Sequence, residues 1–466
     1  MRSGHRGMKL QQHVDSHAVI DALRREATDW RAWAVRLLVM AFAALAGLAV
    51  VAFTALTEHA FGLFLRLWHQ APWLVLVLTP ACTALVAWSM RRWALGSAGS
   101  GIPQVIAAMD TSVAPAQVGL FVSLRLTLAK ILLVPLGLLG GLSLGREGPS
   151  VQIAAGVMHH ARHWLPKNAQ GVSPQGLMLA GGAAGIAAAF NTPLGGVMFA
   201  IEELSRRPEQ RASGLLMAAI VLSGLMAVSV YGNATYFGRI HVEDMRWALL
   251  LPALLVALLA GALGGLFARV LLLGLRGDGV DRFSRWRRER PMAFAAGCGL
   301  GVAALGLASQ GAVFGTGYAQ TRALLEGQAD ASALYVWLKF VATWLTAWSG
   351  VPGGIFAPAL SIGAGLGYDV ALIWPEAGNA TLIALGMAAF LAAVTQAPLT
   401  AFIIVMEMVD GHALVLSLMA SCLVASGVSR LITPALYSAL AQLQLRRLPP
   451  DTGSAKSTPR ADKLNT

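Results

Sequence analysis

Apolar positions run almost unbroken through most of the chain, in blocks separated by short segments that hold nearly all the charge. A spanning helix needs about twenty consecutive, predominantly apolar residues, and the first block, 33–56, is long enough. Further blocks occupy roughly 72–90, 116–142, 176–201, 212–232, 247–275, 291–310, 332–350, 381–409 and 412–433. This pattern predicts an all-α multi-pass membrane protein embedded in a lipid bilayer, several of its segments interrupted by glycine or proline. Ahead of the first block, Ile20, Leu23, Ala27, Trp30 and Ala34 recur at steps of three and four among Asp21, Arg24, Arg25, Glu26, Asp29 and Arg31. That spacing predicts an amphipathic helix on the membrane surface.

Composition excludes a soluble protein, because only 12% of the 466 residues are charged, about half the ~25% of ordinary globular chains. The net charge of +12 does not point to nucleic acid. The basic residues sit in short flanks between apolar blocks, not along one face. They cluster before the first span, at Arg91 and Arg92, at Arg206, Arg207 and Arg211, from Arg282 to Arg290 and after the last span. The positive-inside tendency assigns these to the cytoplasm, with both termini. Cys82, Cys298 and Cys422 are far apart and form no CxxC pair, so neither a disulfide framework nor a metal site is implied. Nothing calls for a cofactor. The first apolar block is too long for a signal-peptide core, so no cleavage is expected.

An internal repeat sets the architecture. Gly99-Ser100-Gly101-Ile102-Pro103-Gln104 resembles Gly315-Thr316-Gly317-Tyr318-Ala319-Gln320 at an offset of 216. Lys130 precedes Gly145-Arg146-Glu147-Gly148-Pro149 as Lys339 precedes Gly354-Ile355-Phe356-Ala357-Pro358, at an offset of 209. Pro193-Leu194 followed by Glu202 matches Pro398-Leu399 followed by Glu407, at an offset of 205. Ordered blocks of this kind divide the chain into a cytoplasmic amphipathic N-terminal helix (1–32), a first transmembrane repeat (33–232), a second (246–437) and a short cytoplasmic tail (438–466). Two halves with corresponding broken segments point to a transporter whose site lies at the repeat interface. The repeat alone is compatible with parallel or inverted halves.

Broken backbone at membrane depth must be buried in protein or line a cavity. In Gly99-Ser100-Gly101-Ile102-Pro103 the serine offers a hydroxyl, and the proline suits the first turn of a helix whose free N–H groups favour an anion. Gly145 to Pro149 and Gly354 to Pro358 repeat the design. Glu147 is ionisable where its counterpart Phe356 is not. A carboxylate beside such termini would take an anion's place when charged and leave when protonated, a gate with a proton handle. Glu202 and Glu203 read either as ordinary carboxylates at a cytoplasmic helix end or as inner acids completing a proton route. Lys339 reads as structural and Lys130 is open between anchoring carbonyls and serving the anion path. Tyr437 by composition is an interfacial aromatic, and His159, His160 and His163 read as a solvated face. Gly141-Leu142-Ser143-Leu144-Gly145 satisfies the GxSxG of serine hydrolases, but it lies in an apolar helical region and lacks the strand-to-helix elbow that motif needs.

Taken in order, the GSGIP, GREGP and GIFAP blocks resemble the anion-filter motifs of the CLC chloride channel/transporter family. Phe190-Asn191-Thr192-Pro193-Leu194, Ile201-Glu202-Glu203 and Leu436-Tyr437-Ser438 add to the likeness, which runs from residue 33 to about 440. Ser150 and Thr192 depart from its usual residues without removing a ligand. The resemblance implies two inverted repeats with broken helices, assembled as a homodimer with one anion pathway per subunit in a bacterial inner membrane. It implies hydroxyl ligands to chloride from Ser100 and Tyr437, completed by the backbone N–H groups of Ile355 and Phe356. Filter backbone would come from Gly99, Gly101, Ile102, Pro103, Gly145, Arg146, Gly148, Pro149, Gly354, Ala357 and Pro358. Glu147 is similar to the external gating glutamate and Glu203 to the internal proton-transfer glutamate, with Glu202 as a helper. Members with both acids are proton/chloride antiporters, and a passive chloride channel of the same fold is the alternative. A tail this short leaves no room for the paired regulatory domains of many eukaryotic members.

Overall fold

The computed structural model describes residues 29–166, 172–205, 214–232, 235–237, 249–277, 279–328, 332–374 and 379–448. Most of the amphipathic helix expected ahead of the first span lies outside them. Its last residues belong to the span itself. Asp29 accepts from the N–H groups of Arg31 and Ala32, at 3.0 and 3.3 Å, and so starts helix α1 (Trp30–Gln70). At 41 residues α1 is about 60 Å long, twice the hydrocarbon thickness, which lets its polar second half reach beyond the apolar block.

The first half continues with α2 (Val75–Trp93), α3 (Ile102–Ala108), α4 (Leu124–Leu139), α5 (Glu147–His160), α6 (Pro174–Phe190), α7 (Pro193–Phe199) and α8 (Gly214–Tyr231). A π turn, Ala200–Leu204, prolongs α7. The second half holds α9 (Leu250–Arg276), α10 (Arg282–Glu289), α11 (Pro291–Ala308), α12 (Tyr318–Leu325), α13 (Tyr335–Trp348) and α14 (Phe356–Ile373). It ends with α15 (Asn379–Thr395), α16 (Pro398–Val409), α17 (Val415–Ile432) and α18 (Leu436–Arg446). Helix α18 runs across the expected boundary between the second repeat and the tail. Among the described residues, eight helices or helix pairs are long and apolar enough to cross a membrane. The protein is an all-helical, multi-span membrane protein.

Two expected long segments are each split, and at equivalent places. Asn191 (φ 56°) ends α6 and Gln396 (φ 58°) follows α15, both left-handed, and each is followed two residues later by the proline that opens the next helix. Proline disfavours helix in the residue before it, so the reversal is written into both halves. Helices α5, α6, α14 and α15 bury nearly every residue, while α1, α9 and α17 show leucines outward. Backbones of α14 and α15 meet at Gly363 and Gly386, where an added Cβ on either would stand 2.3 Å from the other's carbonyl oxygen. Small residues at membrane helix contacts allow this approach. Outside the spans, Asp281 caps α10, and hydrogen bonds from Ser284 hold its carboxyl below the usual carboxylate range.

Candidate functional site

The three glycine-proline blocks meet. Gly145 and Gly354, equivalent positions of the two halves, exchange both backbone hydrogen bonds at 2.7 Å in an antiparallel bridge. Gly99 donates to the carbonyl of Val351 at 3.3 Å and accepts from Gly353 at 3.1 Å, joining the first block to the third. A Cβ on Gly148 would stand 2.1 Å from Ser100 Oγ, joining the first to the second. Helices α3, α5 and α14 therefore begin around one buried region, and a helix leaves its first N–H groups without intrahelical acceptors. Ile355 is the cap and Phe356 the first residue of α14, so their N–H groups are of this kind.

Glu147 opens α5 and is 0% exposed. Its Oε2 accepts from the N–H of Ala357 at 3.4 Å, across 210 positions, in the first turn of the other half's helix. Its Oε1 has no partner among the described protein groups. The carboxylate fits because position 145 is glycine, whose Cβ would stand 2.3 Å from that Oε2. The neighbouring arginine is not its ion-pair partner. Arg146 Nη1 pairs with Glu58 of α1 at 2.6 Å and Nη2 donates to the Tyr236 hydroxyl at 3.3 Å. Arg146, Glu58 and Tyr236 line a cavity of about 860 Å³ that also touches Thr316 and Tyr318 of the second half.

Tyr437 is not an interfacial aromatic: it is 0% exposed, its ring stacked on Phe356 with centroids 6.0 Å apart. A short loop after Thr433 turns α18 back inward, which composition does not reveal. The Tyr437 hydroxyl lies within interaction range of Ser100, and neither hydroxyl completes a well-formed hydrogen bond among the described protein groups. Glu147 and Glu203 both lie within electrostatic range of Tyr437. Glu203, 1% exposed, sits in the π turn Ala200–Leu204, with Phe199 edge-on to Phe356 at 6.2 Å. The structure thus gathers Ser100, Glu147, Phe356 and Tyr437, with Glu203 nearby. Glu202 points elsewhere, its two oxygens accepting from Leu399 and Thr400 at the start of α16.

Both buried lysines hold carbonyls. Lys130 Nζ donates to Gly99 O at 2.5 Å, inside the first block, and Lys339 Nζ to Val313 O and Gly315 O at 2.9 Å each. Gly99 and Gly315 are equivalent positions, so the anchoring is repeated. His159 is a correction: it is 5% exposed on the inner side of α5, which runs on through His160, while His163 faces outward. Ser143 is 1% exposed and shares a hydrogen bond with Thr343 Oγ1 at 2.9 Å, a buried structural serine and no nucleophile elbow. Glu58 and Tyr236 escaped sequence reasoning because nothing local marks them as partners of Arg146.

Broken helices that start around a buried carboxylate, inside a multi-span bundle, define a membrane transport protein. The family profile described as "Voltage gated chloride channel" matches residues 82–430, and the chain belongs to that CLC family, a family of transport proteins and not of enzymes. It is similar to the H(+)/Cl(-) exchange transporter ClcA of Vibrio parahaemolyticus, 32% identical over 372 residues, 77% of each chain. Likeness to the protein of the same name from Vibrio cholerae is 32% over 401 residues, 82% of this chain and 83% of that one. Among solved structures, a slow cyanobacterial Cl-/H+ antiporter superposes with a TM-score of 0.76 at 23% identity, over 89% of this chain and 98% of that one. A CLC-type fluoride/proton antiporter gives 0.72 at 23%, over 89% and 99%. These likenesses establish the CLC fold.

Proposed function

We propose that the protein exchanges chloride for protons across a cell membrane. The observation that carries this is the Glu147 carboxylate, wholly buried and accepting from the first turn of α14. A helix start favours negative charge, so carboxylate and chloride compete for one place. Protonation removes the charge that holds Glu147 there, and anion arrival and proton uptake are thereby linked. Chloride is held by the hydroxyls of Ser100 and Tyr437 and the N–H groups of Ile355 and Phe356. The two buried hydroxyls without well-formed protein partners support that assignment. Glu203 hands protons to and from the cytoplasmic side. Relatives above 30% identity named as chloride exchangers favour chloride over fluoride.

The halves are read as inverted repeats, supported by α7 and α16. Each begins beside the last turn of the other, so these equivalent helices run antiparallel. Assembly as a homodimer in a bacterial inner membrane follows the resemblance, and both termini are placed in the cytoplasm by the positive-inside pattern of the basic flanks. The alternative, a passive channel, leaves the burial of Glu203 without a purpose. Proton flux into proteoliposomes under a chloride gradient alone tests the reading. Uphill, chloride-dependent proton movement that vanishes in Glu203→Gln while chloride flux persists is the expected result. Chloride flux without proton movement in either protein makes it a passive channel.

A further inference from the structure

Glu202 and Glu407 occupy equivalent positions in the two halves, and each carboxylate is delivered to the other half. Glu202 accepts from Leu399 N at 3.1 Å and from Thr400 N at 2.6 Å. Glu407 accepts from Leu194 N at 3.3 Å and from Gly195 N at 2.8 Å. The donors correspond: they are the residues that follow Pro193 and Pro398, the prolines that open α7 and α16. Proline has no N–H, so these are the first donors that each helix start presents. Bonds from N–H to a carboxylate are about twice as strong as neutral ones, and here four of them close a ring between two helices.

The ring bears on Glu203. Helix α7, held at its start by Glu407, runs without interruption into the π turn that carries Glu202 and Glu203. Adjacent residues of a helical turn face different directions. Fastening Glu202 onto α16 therefore fixes the rotation of the turn and keeps Glu203 inside, 1% exposed. π turns are frequent at functional sites, and this one is clamped at both ends of its helix.

We propose that Glu407, with Glu202, is a positioning residue for proton transfer: the exchanged carboxylates hold the turn that aims Glu203. This rests on Glu203 being the inner proton acid. Glu407 touches neither the anion-site residues nor Glu147 in the hydrogen bonds described, so its loss falls on coupling.

The test uses the full chain in liposomes, reading protons moved per chloride together with chloride flux. Glu407→Ala is expected to lower the ratio by about threefold or more at chloride flux within about twofold of the unaltered protein. Glu407→Gln keeps one acceptor oxygen and should recover most of the ratio, and Glu407→Met, which keeps the volume without an acceptor oxygen, carries the test if the alanine variant does not fold. A ratio unchanged in Glu407→Ala, or in Glu407→Met where the alanine variant does not fold, overturns the proposal. Hydrogen exchange over residues 194–205 separates this from the antiport reading. Faster exchange through Ala200–Leu204 in the variant is expected, and unaltered exchange overturns the clamp even where the unaltered protein moves chloride without protons.

Discussion

At the scale of single residues, the site is defined by what its glycines leave room for. Gly148 faces Ser100, and a Cβ there would stand 2.1 Å from the hydroxyl and 2.9 Å from the serine's own carbonyl oxygen. The hydroxyl could turn aside, but the carbonyl belongs to backbone that is tied to the third block through Gly99. Gly148→Ala therefore overpacks by about 1–3 kcal/mol, and the strain lands on the serine proposed to ligate the anion. Chloride affinity measured calorimetrically should fall about tenfold, which corresponds to ~1.4 kcal/mol, in a protein that still folds. Much of this was legible in the sequence. The spacing of Gly, Ser, Glu and Pro picked out residues that the fold brings together, because helix starts and close approaches restrict residue type. Tyr437 was legible only through family likeness. Tyrosine suits both an interface and a buried hydroxyl, and the return of α18 to the interior depends on packing across the fold.

At the scale of helices, Lys130 and Lys339 show how equivalent elements diverge in use. Both are 0% exposed and both end on carbonyls of the loops that precede short helices, α3 and α12. The loop held by Lys130 carries Ser100, whereas the loop held by Lys339 borders the cavity near Arg146. Removing the Lys339 ammonium takes the donor from two buried carbonyls, at about 1–3 kcal/mol each, whereas Gly99 O keeps the N–H of Gly353 when the Lys130 ammonium is lost. Lys339→Met strips two carbonyls and should lower the thermal midpoint while leaving chloride affinity within about twofold of normal. Lys130→Met removes one of the two donors to Gly99 O, loosening the loop that carries Ser100, and should weaken chloride binding, measured by titration, more than it lowers that midpoint. The long helices were legible from apolar runs alone. Helices α3, α7 and α12 were not, being only seven or eight residues each, too short for periodicity to register. The splits at Asn191 and Gln396 were hidden inside apolar runs, because a left-handed residue followed by X-Pro leaves hydropathy unchanged.

For the whole molecule, equivalent positions meet each other or trade partners at two places, the Gly145 and Gly354 bridge and the exchange of Glu202 with Glu407, while the two lysine anchors repeat one contact within each half. The repeat was visible in the sequence as offsets drifting from 216 to 205. Which half each carboxylate serves was not, since a cap looks the same from either side of the chain. In the proposed inverted arrangement, the two-fold axis that relates antiparallel α7 and α16 lies across the helices. Applied to a spanning bundle, such an axis sends equivalent loops to opposite faces of the membrane. Ser112, in the loop after α3, and Gln328, in the loop after α12, are equivalent exposed positions separated by the first repeat offset. By the positive-inside tendency, the arginine-rich end of α2 predicts a cytoplasmic position for the first loop. Cysteines placed singly at these two positions should react with a membrane-impermeant maleimide from opposite sides, Ser112→Cys from the cytoplasm and Gln328→Cys from outside. Background labelling is low because Cys82, Cys298 and Cys422 are buried. Reaction of both from the same face would leave the halves parallel, and the link between a cytoplasmic Glu203 and an outward Glu147 would fail with it.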